Sequence, residues 1–295
     1  MAGYLAAARA RVDAVLDHWG GQSGTPGRGS IAAAMRYSLL GAGKRLRPTL
    51  VFASYEAVGG AGAGVAELAA AIEVVHAYSL VHDDLPCMDD DDLRRGRATA
   101  HRAFDVATAT RAGFQMVALA ALVLAHGMAT LDLDAERRRA IALELFRAAG
   151  AGGMIGGQAL DLAGEGRALP AAQLEEIHQR KTGALIAASC AIGGMAARAP
   201  APVTAALREY GSRLGLAFQI YDDVLDATAT SDQLGKTAGK DAARAKATFV
   251  TVLDVGAARA EAERLAALAV DRLREAGLVS PVLVDLAQYV VTRPN

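Results

Sequence analysis

The chain has few cysteines. There are two in 295 residues, Cys87 and Cys190, in non-repetitive contexts. This argues against a disulfide framework and for reduced thiols. Aromatic residues make up only 5% and alanine is abundant, a balance that favours helices over sheets. No stretch shows convincing strand alternation, and no repeat recurs at solenoid periods. Neither sign of charge dominates: the formal net charge is -1, without the basic excess of a nucleic-acid protein. Long apolar runs are missing too. The longest covers residues 116–125, against the roughly 20 needed to span a bilayer. Arg9, Arg11, Asp13 and Asp17 interrupt the N-terminal segment, which lacks the apolar core of a signal peptide. Together these absences predict a soluble, cytoplasmic protein with no membrane span and no nucleic-acid partner.

What is present is apolar residue in quantity, 53% of the chain, enough for a large buried core. Glycine-rich stretches at residues 20–30, 59–64 and 164–170, and a further loop at 198–202, punctuate segments of helical periodicity. An amphipathic helix over about residues 4–19 precedes the first, flexible loop. Leu68, Ile72, Val75 and Ser79 mark another helix, and Leu174, Ile177, Lys181, Leu185 and Ala188 a third. The expectation is an all-α bundle of roughly ten to thirteen helices in one domain, 1–295.

The sharpest feature is HDDLPCMDDDDLRRG, with Asp83, Asp84, Asp89, Asp90, Asp91 and Asp92 inside ten positions. So many carboxylates repel one another, and hard divalent cations with oxygen ligands are their natural partners. On an unbroken helix Asp83 and Asp89 would lie about 120° apart. Pro86 interrupts the helix, so the chain can fold back and bring Asp89 toward Asp83.

A second cluster is FQIYDDVLD. Gln219, Asp222, Asp223 and Asp226 stand at i, i+3, i+4 and i+7, one stripe of a helix whose other residues are apolar. Buried carboxylates without partners are costly. Two such clusters, roughly 140 residues apart, suggest two acidic walls across a cavity. Mg²⁺, which takes one or two protein carboxylates plus phosphate oxygens, would bridge them to a diphosphate.

Cations supply the other half. GAGKRLRP sets Lys44, Arg45 and Arg47 after a glycine turn, without the spacing of a Walker loop. Arg94 and Arg95 follow the first acidic cluster. Lys181 and Thr182 lie within a helix, and Lys236, Lys240 and Lys246 follow the second cluster. His76 lies seven residues before Asp83, on nearly the same helical face.

These residues resemble the trans-isoprenyl diphosphate synthases, with motifs in family order from about residue 33 onward. Asp83, Asp84 and Asp89 match the first aspartate motif and Asp222, Asp223 and Asp226 the second. GAGKRLRP is similar to GGKRxRP. GGQALDL (residues 156–162), KTGAL and GLAFQ also match. The resemblance implies the isoprenoid synthase fold, a homodimer, and condensation of isopentenyl diphosphate with an allylic diphosphate. It implies Mg²⁺, three ions per site, held by Asp83, Asp84, Asp89, Asp222 and Asp226. Catalysis would rest on both aspartate motifs with Lys181 and Lys236. Lys44, Arg47, His76 and Arg95 would bind isopentenyl diphosphate. Arg94, Lys181, Thr182, Gln219, Lys236 and Lys246 would bind the allylic partner.

The resemblance also makes Tyr78, with Ser79 beside it, the floor of the elongation pocket, so the implied product is farnesyl diphosphate. Spacing alone does not guarantee this, since Tyr78 and Asp83 differ by about 140° around the helix axis. Geranylgeranyl diphosphate synthase is the alternative, ahead of a terpene cyclase or a non-catalytic partner subunit. The chain departs from the family's AGDAL at Ala112, Gly113, Phe114, Gln115 and Met116, with Arg111 where relatives are apolar. After Lys246 it reads Ala-Thr-Phe-Val, where relatives often have Thr-Tyr-Pro.

Overall fold

The structure, a computed structural model, describes residues 1–22, 29–167, 169–228 and 248–293. The chain divides into two compact units. One comprises Ala2–Phe52 and Ala61–Ala142; the other comprises Ala53–Gly60 and Leu143–Asn295, together with Met1.

The first unit is built on α1 (Ala2–Gln22), α2 (Gly29–Leu39), the start of α3 (Leu46–Ala57), α4 (Val65–Asp83), α5 (Ala100–Ala103), α6 (Val106–Thr130) and the start of α7 (Ala135–Ala149). α4 packs along α6, and α1 lies against α4. α1 presents a narrow stripe, Ala8, Val12 and Leu16, at i, i+4 and i+8. α4 is buried on most sides, with Leu68, Ile72 and Val75 fully enclosed. Asp105 starts α6 by accepting the Thr108 amide at 2.8 Å.

The second unit holds α8 (Met154–Gly164), α9 (Ala171–His178), a π-helical turn (Gln179–Gly183), α10 (Ala184–Ala196), α11 (Ala201–Thr228), α12 (Phe249–Leu253), α13 (Val255–Glu275) and α14 (Pro281–Thr292). α11 is central, packed by α10 and α13, with α14 closing on α13. α10 is apolar all round and buried almost throughout, from Leu185 to Ala196. Such a helix is stable only inside a core. Ser280 caps α14 ahead of Pro281, whose missing N–H costs nothing at a first turn.

The all-α expectation holds, with three corrections. Fourteen α-helices appear among the described residues, because α5 and α12 are single short turns with no periodicity to read. Leu93–Arg94 and Arg97–Ala98 pair as a small antiparallel hairpin, too short for alternation to show. And α4 and α6 are long and apolar enough to cross a membrane by length and composition. Glu67, Glu73 and His76 break the apolar run in α4, and Thr110, Arg111, Gln115 and His126 break it in α6, so neither helix shows as one unbroken apolar run in the sequence. About two thirds of the apolar part of α4 and half of that of α6 are buried inside the protein. Loops separate helices near the three further stretches read from composition, Gly59, Gly166 and Arg198 taking positive φ, but Gly164 still belongs to α8 and residues 201–202 to α11, and residue 168 lies outside the described residues. α1 and α2 reach into the 20–30 stretch, of which 23–28 lie outside the described residues.

Candidate active site

In the first unit, α4 carries two functional groups two turns apart. At its end the helix stops at Asp83, and the chain turns back through Pro86. The Asp89 amide donates to the Asp83 carbonyl at 2.8 Å, and the Asp90 amide to Leu85 O at 3.1 Å. The fold-back read from Pro86 is therefore formed. Asp84 is enclosed and accepts from Arg94, whose Nε lies 2.7 Å from Oδ1 and 3.0 Å from Oδ2. Burial holds the Asp84 carboxyl above its usual range, a rise that the bond to Arg94 offsets only in part.

Two turns back, His76 lines a recess of about 610 Å³, open mouth included, together with Arg45, Arg94, Arg95 and Arg97. Burial first, then the charges of Arg47, Arg95, Arg94 and Arg45, holds the His76 imidazole well below its usual range. It is therefore a neutral donor among guanidinium groups. Arg95 reaches the rim by donating to Ala42 O. A Cβ on Gly43 would stand 2.6 Å from Arg95 Nη1, so glycine there admits the arginine. Lys44 is exposed and Arg47 partly so, at the start of α3.

Arg45 is the buried keystone of this region, a role sequence reasoning did not assign. Its Nη1 donates to Glu73 at 2.7 Å, its Nε to Asp13 at 2.9 Å, and its Nη2 to Leu39 O at 2.8 Å. It ties α1 and the glycine turn to α4. Elsewhere on α4, Tyr78 is buried and its ring meets His82 edge-on at 5.5 Å. His82 in turn meets Phe114 at 5.3 Å. The departure at Phe114 thus joins the neighbourhood of Tyr78, while the Phe114 side chain stays 65% exposed.

In the second unit the 219–226 stripe forms as read, on the last turns of α11. Thr182 Oγ1 donates to Gln219 Oε1 at 3.0 Å. Asp223 is enclosed and accepts the Phe249 amide at 2.9 Å, with His178 Nε2 at 3.7 Å. Asp222 is about one-third exposed and its Oδ1 is bound by Arg293; Asp226 is exposed. Lys181 projects from the π-turn, a form of helix frequent at functional sites, and donates to Asp161 Oδ2 at 2.7 Å. That turn packs close to α8: a Cβ on Gly157 would fall 2.2 Å from the Lys181 amide. Asp161 and Gly157 belong to the GGQALDL stretch, which was the sequence signal for them. Arg293 and His178 had none. Lys236, Lys240 and Lys246 lie outside the described residues.

Among the described residues no three His, Cys, Asp or Glu side chains converge as a closed metal site. Each acidic cluster, taken by itself, supplies hard carboxylate oxygen donors. That fits Mg²⁺, which keeps waters and takes phosphate oxygens alongside one or two carboxylates.

The sequence matches the family model described as polyprenyl synthetase over residues 29–283. It is 42% identical over 270 residues to farnesyl diphosphate synthase of Escherichia coli (strain K12), covering 89% of each chain. It is 40% identical over 274 residues to geranylgeranyl pyrophosphate synthase 12, chloroplastic, of Arabidopsis thaliana, covering 90% of this chain and 75% of the relative. A solved geranyltransferase from Helicobacter pylori, complexed with magnesium and isoprenyl diphosphate, is similar with a TM-score of 0.82 at 29% identity, covering 98% of this chain and 95% of that one. With the helical fold and the motifs in place, the chain belongs to the polyprenyl synthetase family and is a prenyltransferase.

Proposed function

We propose that the enzyme condenses isopentenyl diphosphate with dimethylallyl or geranyl diphosphate to give farnesyl diphosphate, the whole of 1–295 acting as one catalytic domain. The observation that carries this reading is α4 itself. One helix bears His76, in a recess lined by four arginines, and two turns on ends in the folded-back Asp83–Asp89 loop. An anion site and an acidic cluster on one rigid element suit two substrates held side by side. The family match spans residues of both units, which supports their joint action.

Lys44, Arg47, Arg95 and His76 bind the diphosphate of isopentenyl diphosphate. His76, kept neutral, donates a hydrogen bond without adding another charge among the arginines. Asp83, Asp84, Asp89, Asp222 and Asp226 hold Mg²⁺, three ions per site by the family resemblance. When bound, Mg²⁺ supplies positive charge against the negative charge growing on the leaving diphosphate. Arg94, Lys181, Thr182 and Gln219, with Lys236 and Lys246, grip that same diphosphate. Asp223, through the Phe249 amide, anchors the chain that follows Lys246. The allylic C–O bond breaks, the isopentenyl double bond forms the new C–C bond, and the lost proton passes to the released diphosphate. Apolar Ala77, Leu80 and Val81 line the recess and keep water from the cation.

Tyr78 limits the product to fifteen carbons. Exposed Phe114, Val117 and Leu122 on α6 support a homodimer, and the protein works in the cytoplasm. The geranylgeranyl alternative is favoured by the Arabidopsis relative. Mass spectrometry of products from dimethylallyl and geranyl diphosphate, with and without Mg²⁺, tests the condensation, its metal dependence and the product length. A fifteen-carbon product only with Mg²⁺ supports it. A twenty-carbon product moves the assignment to geranylgeranyl diphosphate, and no elongation at all overturns condensation.

A further inference from the structure

We infer that Arg293 is a positioning residue for Asp222: it holds one carboxylate oxygen so that the other faces a divalent cation in a fixed orientation. The inference rests on the reading of Asp222 as a metal ligand. The Arg293 side chain is completely enclosed. Its guanidinium lies 4.1 Å from the Phe218 ring centroid and 5.3 Å from that of Tyr221. It donates to Val290 O, to Phe218 O at 3.4 Å, and to Asp222 Oδ1.

Those contacts leave the guanidinium no freedom to follow solvent. An enclosed guanidinium is retained only where its charge is met, and Asp222 is the only described carboxylate in ion-pair contact with it. The residue directly follows α14, so helix capping alone would account for the bond to Val290 O. It does not account for a reach of 71 positions to the acidic stripe.

On that stripe the described partners differ in kind. Asp223 is taken up by the Phe249 amide and His178, whereas Asp222 is held through Oδ1 and stays one-third exposed. Oδ2 makes no bond with a described residue, and it is the atom left for an incoming cation. A partner that fixes a ligand's second oxygen is a recurring device, and its loss typically weakens metal affinity or activity 10–100-fold.

The test is Mn²⁺ binding in the presence of inorganic pyrophosphate, followed by electron paramagnetic resonance. The proteins are wild type, Arg293→Gln, Arg293→Lys, Asp222→Asn and the Arg293→Gln/Asp222→Asn double variant, with thermal unfolding recorded for each. The expected result is Mn²⁺ affinity weakened about tenfold or more in the Arg293 variants, with no further loss when Arg293→Gln is added to Asp222→Asn. A lowered melting temperature with unchanged Mn²⁺ affinity would make Arg293 a structural residue only and overturn the inference. Tighter Mn²⁺ binding would make it a competitor of the metal, with the same consequence. If wild type binds no Mn²⁺, or Asp222→Asn binds it normally, the reading of Asp222 as a ligand fails first. Should neither Arg293 variant fold, the Arg293 guanidinium resonances of wild type decide. Retention of the Asp222 contact on adding Mg²⁺ and pyrophosphate supports the inference, and its release refutes it.

Discussion

The Asp89 amide donates to the Asp83 carbonyl at 2.8 Å, across a turn that contains Pro86. Pro86→Ala should therefore loosen the pairing without unfolding α4. The expected stability loss is about 0.4–1 kcal/mol from unfolded-state entropy, with a clear rise in the Mg²⁺ concentration needed for half-maximal rate. Denaturant melts and Mg²⁺ titrations of turnover check this. An unchanged Mg²⁺ requirement would mean that the turn does not set the ligand geometry.

Arg45 and Glu73 form an enclosed pair at 2.7 Å, with Asp13 on the other edge of the guanidinium. Glu73→Ala leaves a buried cation short of a partner. Breaking such a pair costs about 3–5 kcal/mol, so a large fall in denaturant midpoint is expected. Asp13→Ala, whose carboxylate is partly exposed, should cost much less.

Gly157 touches the backbone of Lys181, and a methyl there would stand 2.2 Å from the Lys181 amide. Gly157→Ala should displace the π-turn and cost about 1–3 kcal/mol as overpacking. The KM for the allylic substrate should rise with it, because the Lys181–Asp161 pair moves. Gly3→Ala, which meets nothing within 4 Å, is the control.

His76 gives a pH signature. Its folded-state pKa lies below the ordinary value of 6.5, burial being the main cause. Below about pH 6.5 the unfolded chain takes up a proton that the folded site refuses, so stability falls as pH falls through that region. His76→Gln should remove this component, so the variant loses less stability than wild type as pH falls and the difference curve between the two proteins slopes on its acid side. Parallel curves for wild type and variant from pH 7 to 5 would contradict it.

Tyr78→Ala should lengthen the product if its ring closes the pocket. Chromatography of the products is the check, and a product unchanged in length removes Tyr78 as the floor. Phe114→Ala belongs beside it, since the ring reaches Tyr78 only through His82.

Local chemistry was legible in the sequence. Pro86 within an acid-rich run announced the fold-back, and the spacing of Gln219, Asp222, Asp223 and Asp226 announced one helical face. What escaped was non-local. Arg293 meets Asp222 from 71 positions away, Lys181 meets Asp161 from 20, and Arg45 meets Asp13 from 32. No periodicity encodes such pairings, because they depend on how helices pack. The Leu93–Ala98 hairpin escaped for another reason: two residues per strand leave no alternation to see.

In the proposed reaction the two aspartate clusters serve one leaving group. A double-mutant cycle on kcat for product formation, using Asp83→Asn, Asp222→Asn and the double variant at saturating Mg²⁺, tests it most directly. Each single change should lower kcat by on the order of 10²–10³. The double variant should be little worse than either, as for groups that act as a unit. Losses that simply multiply would show two independent sites and contradict the account.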